Sequence, residues 1–278
     1  MSDVEIYYFS GSGNSLAVAR DVAQRLNAGL TSIPSLMDQE SIRSDAGAIG
    51  LVFPLYDFKP PKIVEQFVSR LADIESKYIF GICTYGIAPS QGMKRLQRVI
   101  AGQGGHLSGG FAVGMPHNAI GSSAVPESEH RKMFEAWKAR LPEICEYVSN
   151  RREGRLDSSV LFCTLFSLGF IRMAPSVFKF LTHVLFKGVD SLSFNTNDSC
   201  TGCGTCTRVC PMDNIEMLDH HPRWSDRCTS CFACLHWCPN GAIRPGGMDF
   251  GIRRYRHPDV TVSAMMRSEA RLEPNTQG

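Results

Sequence analysis

Along the first half of the chain, short apolar runs alternate with segments whose apolar residues recur at helical spacing. Val4-Glu5-Ile6-Tyr7-Tyr8-Phe9, Ala48 to Phe53 and Tyr78 to Cys83 are rich in β-formers and read as strands. Gly109-Gly110-Phe111-Ala112-Val113 fits a fifth strand. Between them, Leu16 to Leu26 sets Ala17, Val18, Val22, Ala23 and Leu26 on one face, and Ile63 to Leu71 and Gln91 to Ile100 repeat that period. Pro126 to Arg152 is polar with Phe134, Trp137, Leu141, Ile144 and Val148 at helical spacing, and Pro142 is expected to kink it. Strands alternating with helices predict an α/β fold with a parallel sheet, and ligands of such sheets collect at the carboxyl ends of the strands.

Three strand-to-helix loops therefore matter. The first is Ser10-Gly11-Ser12-Gly13-Asn14-Ser15, glycines and hydroxyls leading into a helix N-terminus, where backbone N–H groups and the helix dipole favour an anion. A Walker loop needs Gly-Lys-Ser/Thr, which is missing, and a dinucleotide turn needs a third glycine where Leu16 stands. The second loop runs from Pro54, Leu55 and Tyr56 to Pro61, and the third is Thr84-Tyr85-Gly86-Ile87-Ala88-Pro89. Met115-Pro116-His117-Asn118 forms a further loop on the same rim, and His117 or Tyr85 could donate a proton to a bound group.

Ser10-x-Ser12-Gly13-Asn14-Ser15, with the two loops that follow it, resembles the flavodoxins. The resemblance covers residues 1 to about 150. It implies a doubly wound sheet of order 2-1-3-4-5 and bound FMN, its phosphate on the first loop and its ring bracketed by Tyr56 and Tyr85. Pro54, Leu55, Thr84, Gly86 and Asn118 complete the implied cofactor contacts. Residues 55–61 lack the glycine that flavodoxins often place there to hydrogen-bond reduced flavin at N5.

The second half changes character. From Val160 to Phe194 the chain is strongly apolar, but Arg172, Lys179 and Lys187 interrupt every window of the roughly twenty apolar residues that a membrane span needs. With Pro175 between the halves, it reads as two short helices that pack on the neighbouring domains or lie in a membrane interface.

Beyond it come two cysteine runs of identical spacing. Cys200-x2-Cys203-x2-Cys206-x3-Cys210-Pro211 is followed by Cys228-x2-Cys231-x2-Cys234-x3-Cys238-Pro239. One tight loop can supply three thiolates to a cubane cluster while the fourth points to a second cluster. Cys200, Cys203, Cys206 and Cys238 are thus expected to hold one 4Fe-4S centre, and Cys228, Cys231, Cys234 and Cys210 the other. Zinc sites usually take two separated Cys-x2-Cys knuckles, and disulfides need an oxidising compartment. The stretch resembles the bacterial two-cluster ferredoxins, and the whole chain the flavodoxin-ferredoxin fusion proteins of anaerobes. The expected division is an FMN domain over 1–152, a helical connector over 153–195, a small α+β ferredoxin domain over 196–245 and a tail over 246–278.

Composition narrows this picture. Of 11 cysteines, eight serve the clusters, leaving Cys83, Cys145 and Cys163 as buried small hydrophobes. The net charge of +2 with no dense basic run argues against nucleic acid. No basic and apolar leader opens the chain, so a cytoplasmic protein is expected. Residues 151–195 carry six Lys or Arg against three acids and residues 196–243 three against five, an asymmetry able to orient a redox partner such as ferredoxin. The expected function is electron transfer between low-potential carriers, the clusters and FMN. A flavin-dependent reductase fed by the clusters and a redox-sensing module are the other classes.

Overall fold

The computed structural model describes residues 3–89, 91–116, 126–158, 193–246, 254–266 and 271–272. The first half forms β1 (Val4–Tyr8), α1 (Asn14–Leu26), β2 (Gly29–Ser32), β3 (Ala48–Pro54), α2 (Lys62–Val68), β4 (Tyr78–Tyr85), α3 (Gly92–Ala101), β5 (Leu107–Gly114), α4 (Glu127–Ser149) and β6 (Arg155–Leu156). Their sheet runs β2-β1-β3-β4-β5-β6, every pair parallel. Its first five strands follow the 2-1-3-4-5 order of the flavodoxin-like doubly wound fold. β3, β4 and β5 are buried along almost their whole length, as parallel strands covered on both faces must be. α1 packs beside α4, and α2 beside α3.

Pro142 lies inside α4 and the helix continues through it. Two side chains hold this long helix in place. Trp137 Nε1–H donates to Asp21 of α1 at 2.7 Å, and Arg140 reaches both Asp157 and the Ala112 carbonyl. The sheet therefore extends to Leu156, beyond the boundary drawn at 152. The apolar connector lies almost entirely outside the described residues, as do Cys163, His117 and Asn118.

The second half forms β7 (Phe194–Thr196), α5 (Thr205–Arg208), β8 (Ile215–Leu218), β9 (His221–Trp224), α6 (Ala233–Trp237) and β10 (Ile243–Pro245). β8 and β9 make a hairpin whose two turn residues, Asp219 and His220, both take left-handed conformations, as a tight hairpin turn requires. β7 pairs with β10. Each cysteine run contains a short helix, α5 or α6, opened by a left-handed residue, Gly204 or Phe232.

The two halves share one core. Val209, Cys231, Ala233 and Trp237 belong to the same buried apolar cluster as the residues of the sheet. Residues 254–266 lie across both. Arg254 donates to the carbonyls of Leu235 (3.0 Å), Ile243 (2.9 Å) and Gly241, all in the cysteine-rich half. Tyr255 Oη–H then donates to Asn14 at 2.6 Å and His257 N–H to the Ser12 carbonyl at 2.9 Å, both in the first loop. Residues 254–257 thus both pack on the cysteine-rich half and approach the loop rim. Further along, β11 (Arg271–Leu272) pairs antiparallel with the open edge of β2. Among the described residues, no helix is long and apolar enough to cross a membrane.

Candidate functional site: two thiol cavities and a loop cleft

Two cavities in the second half are each lined by four cysteines. The first, of about 330 Å³, gathers Cys200, Cys203 and Cys206 with Cys238 from the other run. The second, of about 310 Å³, gathers Cys228, Cys231 and Cys234 with Cys210. The crossing has a local cause: in each run two cysteines precede the helix and the third lies in it, whereas the last follows the helix and is succeeded by a proline that redirects the chain.

The walls suit a cluster. Backbone N–H groups reach the sulfurs from Asn214 to Cys210 (3.4 Å), Ser230 to Cys228 (3.4 Å) and Ala242 to Cys238 (3.3 Å). Such donors stabilise the negative charge of a thiolate. Burial pushes the Cys206 thiol up to about 11 and the Cys231 thiol up to about 12, whereas the Thr205 hydroxyl, 3.4 Å from Cys203 Sγ, draws Cys203 down. Loading a cluster must deprotonate these buried thiols, so assembly releases protons.

A third cavity lies at the carboxyl ends of the strands, a cleft of about 310 Å³. Ser10, Gly11, Ser12, Asn14 and Ser15 line it from the first loop, Pro54 and Leu55 from the second, and Thr84, Tyr85 and Gly86 from the third. Met115 and Pro116 close it from the end of β5. Gly13 sits behind the cleft at φ +99°, where an L side chain would be strained and would press on His257 and Val260. Its N–H donates to Ser10 Oγ at 3.1 Å. Asn14 uses both ends of its side chain in tying loops together, donating to the Pro116 carbonyl (3.1 Å) and accepting from Tyr255. The Ser15 and Thr84 hydroxyls meet at 2.8 Å and join the first loop to the third.

Tyr56 and Tyr85 part company. Tyr85 lines the cleft, half-buried, its phenol held above its ordinary value chiefly by burial and so protonated at neutral pH. Tyr56 does not line it. Its ring stands edge-on to Phe9, and its hydroxyl is buried beside Gly11.

At Gly11 the two halves meet. A Cβ there would lie 2.5 Å from the Cys231 carbonyl oxygen and 2.6 Å from Tyr56 Oη, so only glycine allows the backbones to approach this closely. Trp237, 2% exposed, donates its Nε1–H to the Gly11 carbonyl at 2.9 Å. The loop that holds Cys231 and the helix after it therefore rest on the first loop of the cleft. No local sequence signal distinguishes Trp237 from an ordinary core aromatic.

Residues 193–239 match the family model described as the 4Fe-4S dicluster domain. The chain joins a flavodoxin-like domain to a 4Fe-4S dicluster ferredoxin domain. Its two domains are those of electron transfer. Among solved structures, the flavodoxin-like domain is similar to rubredoxin oxygen:oxidoreductase from the anaerobe Desulfovibrio gigas, at 16% identity and a TM-score of 0.37. That match covers 53% of this chain and only 36% of the other. A flavodoxin from the domain Archaea (15% identity, TM-score 0.36) is matched over 52% of this chain and 98% of its own. Two-electron reduced Megasphaera elsdenii flavodoxin (22%, 0.32) is matched over 49% and 98%. The strand order, not these scores, carries the fold. No curated protein matches the chain.

Proposed function

We propose that the protein passes electrons between low-potential one-electron carriers such as ferredoxin, its two 4Fe-4S clusters and an FMN held in the loop cleft. The observation that carries this reading is the backbone contact at Gly11, where the cleft's first loop touches the carbonyl of Cys231, a ligand of the second cluster.

The donor set of the cleft fits a terminal phosphate. α1 opens on Gly13 with no side-chain cap and no acidic residue in its first turn, which leaves its N–H groups and the positive end of its dipole for an anion. Hydroxyls of Ser10 and Ser12 stand beside them, and among the described residues no acidic side chain lines the cleft. Leu55 and Tyr85 supply apolar and aromatic surface for the ring. Bound FMN would supply a centre that takes one or two electrons beside clusters that pass one at a time. This chain's own residues then do the holding. Trp237 and Gly11 fix the second cluster's loop on the cleft, Arg254 and Tyr255 brace the two domains, and Tyr85 offers a protonated hydroxyl at the cleft. A fixed contact removes the encounter step that two separate carriers would need.

Ser10→Asp tests the phosphate placement. An aspartate can still accept from the Gly13 N–H, so the loop keeps its turn, but its charge opposes the phosphate. Flavin content after anaerobic purification should fall at least tenfold relative to the unaltered chain, with iron and sulfide content unchanged. Full FMN occupancy in this variant would place the phosphate elsewhere, and a flavin other than FMN in the unaltered protein would refute the cofactor assignment.

A further inference from the structure

Among the described residues, five buried side-chain nitrogen or oxygen atoms have no hydrogen-bond partner, and three of them surround the second cysteine cavity. Trp224 Nε1 and Asn214 Nδ2 belong to residues that line it, and Tyr56 Oη is buried beside Gly11, where the Cys231 backbone also packs, on the flavodoxin-like side. Burying a polar group without a partner costs about 1–3 kcal/mol, and three such groups around one space point to an absent acceptor. None of the five lines the first cavity.

Their orientation is fixed by what else they touch. Asn214, 1% exposed, uses Oδ1 to accept the Arg227 N–H at 2.6 Å, which settles the amide's orientation and leaves the NH2 end as the unpartnered one. Trp224 stacks on Phe194, with ring centroids 5.7 Å apart, and both rings line the second cavity. Tyr56 is held by its edge contact with Phe9, its hydroxyl beside Gly11 and Cys231. All three are donors, and the sulfurs of a cluster and its ligands are acceptors.

We infer that Trp224, Asn214 and Tyr56 donate hydrogen bonds to the sulfurs of the second 4Fe-4S cluster and its cysteine ligands, raising that cluster's reduction potential without affecting the first. Reduction adds negative charge, which donated hydrogen bonds stabilise and burial opposes. Three of the second cavity's cysteines are buried, against one in the first, so burial alone would make the second cluster the harder to reduce. The three donors offset that penalty at the cluster whose ligand loop touches the cleft. This inference rests on the dicluster domain and holds whether or not the cleft binds FMN.

The test is a potentiometric titration of the full, cluster-loaded chain followed by paramagnetic resonance, with Trp224→Phe and Tyr56→Phe as variants. Both keep their rings, and iron and sulfide content verifies loading. In each, the midpoint of one cluster should fall by roughly tenfold in its one-electron equilibrium, about 59 mV. The other midpoint should stay in place. The cluster that shifts should be the one whose signal disappears in Cys210→Ala. Unchanged midpoints in both loaded variants would overturn the inference, as would equal shifts of the two clusters or a shift confined to the cluster that survives in Cys210→Ala.

Discussion

Replacing Cys210 with alanine is expected to abolish the cluster of Cys228, Cys231 and Cys234 while sparing the one beside its own run. The reason is the crossing of the two runs, by which Cys210 opens into the second cavity and Cys238 into the first. Each alanine removes one thiolate corner, and three remaining thiolates hold a cubane poorly. Cys210→Ala and Cys238→Ala should each lower iron content from about eight to about four atoms per chain and erase a different paramagnetic signal. The complementary pattern is the point. If Cys210→Ala damaged the centre of Cys200, Cys203 and Cys206 instead, each run would serve its own cluster and the cavities would be misread.

A second large effect is expected from the smallest possible change at the domain contact. Gly11→Ala introduces a Cβ 2.5 Å from the Cys231 carbonyl and 2.6 Å from Tyr56 Oη. The first obstacle is backbone, which cannot swing aside as a flexible side chain can. Overpacking of this kind costs about 1–3 kcal/mol, a factor of roughly 5 to 150 in the docked population. The Trp237 bond to the Gly11 carbonyl should be lost with it. The new Cβ is aimed at the Cys231 backbone and Tyr56, so in protein verified to carry its flavin and iron, electron exchange between clusters and flavin should slow by at least the lower factor. Unchanged exchange in a fully loaded Gly11→Ala protein would mean that the contact plays no part in transfer.

How much of this was legible depended on whether the signal was local. Cysteine spacing is a local geometric constraint, and it predicts the same two groups of four cysteines that line the two cavities. The strand-to-helix loops were legible for a similar reason: buried runs such as Ala48 to Phe53 fix where the chain leaves the sheet. Short elements escaped, because two residues of β6 or four of β2 carry no period. So did everything made by distant single contacts. Tyr255 and Asn14 are 241 positions apart, and Trp237 and Gly11 226 apart. Tyr56 shows the limit most clearly: an aromatic residue in the second loop reads as a flavin-stacking ring, yet it does not line the cleft and its hydroxyl is buried beside Gly11, where the Cys231 backbone also packs. Trp224 and Asn214 gave no sign either, since an unpartnered donor is a property of three-dimensional packing alone.

The central claim, that electrons reach the cleft through the second cluster, is tested most directly by rapid mixing of the flavin-loaded chain with reduced ferredoxin under anaerobic conditions. Cluster and flavin absorbances are followed separately in the unaltered protein and in Cys210→Ala. The account predicts that the clusters are reduced before the flavin, that NADH substitutes poorly for ferredoxin, and that flavin reduction in Cys210→Ala loses most of its rate while flavin remains bound. Equal rates of flavin reduction in the two proteins would contradict it.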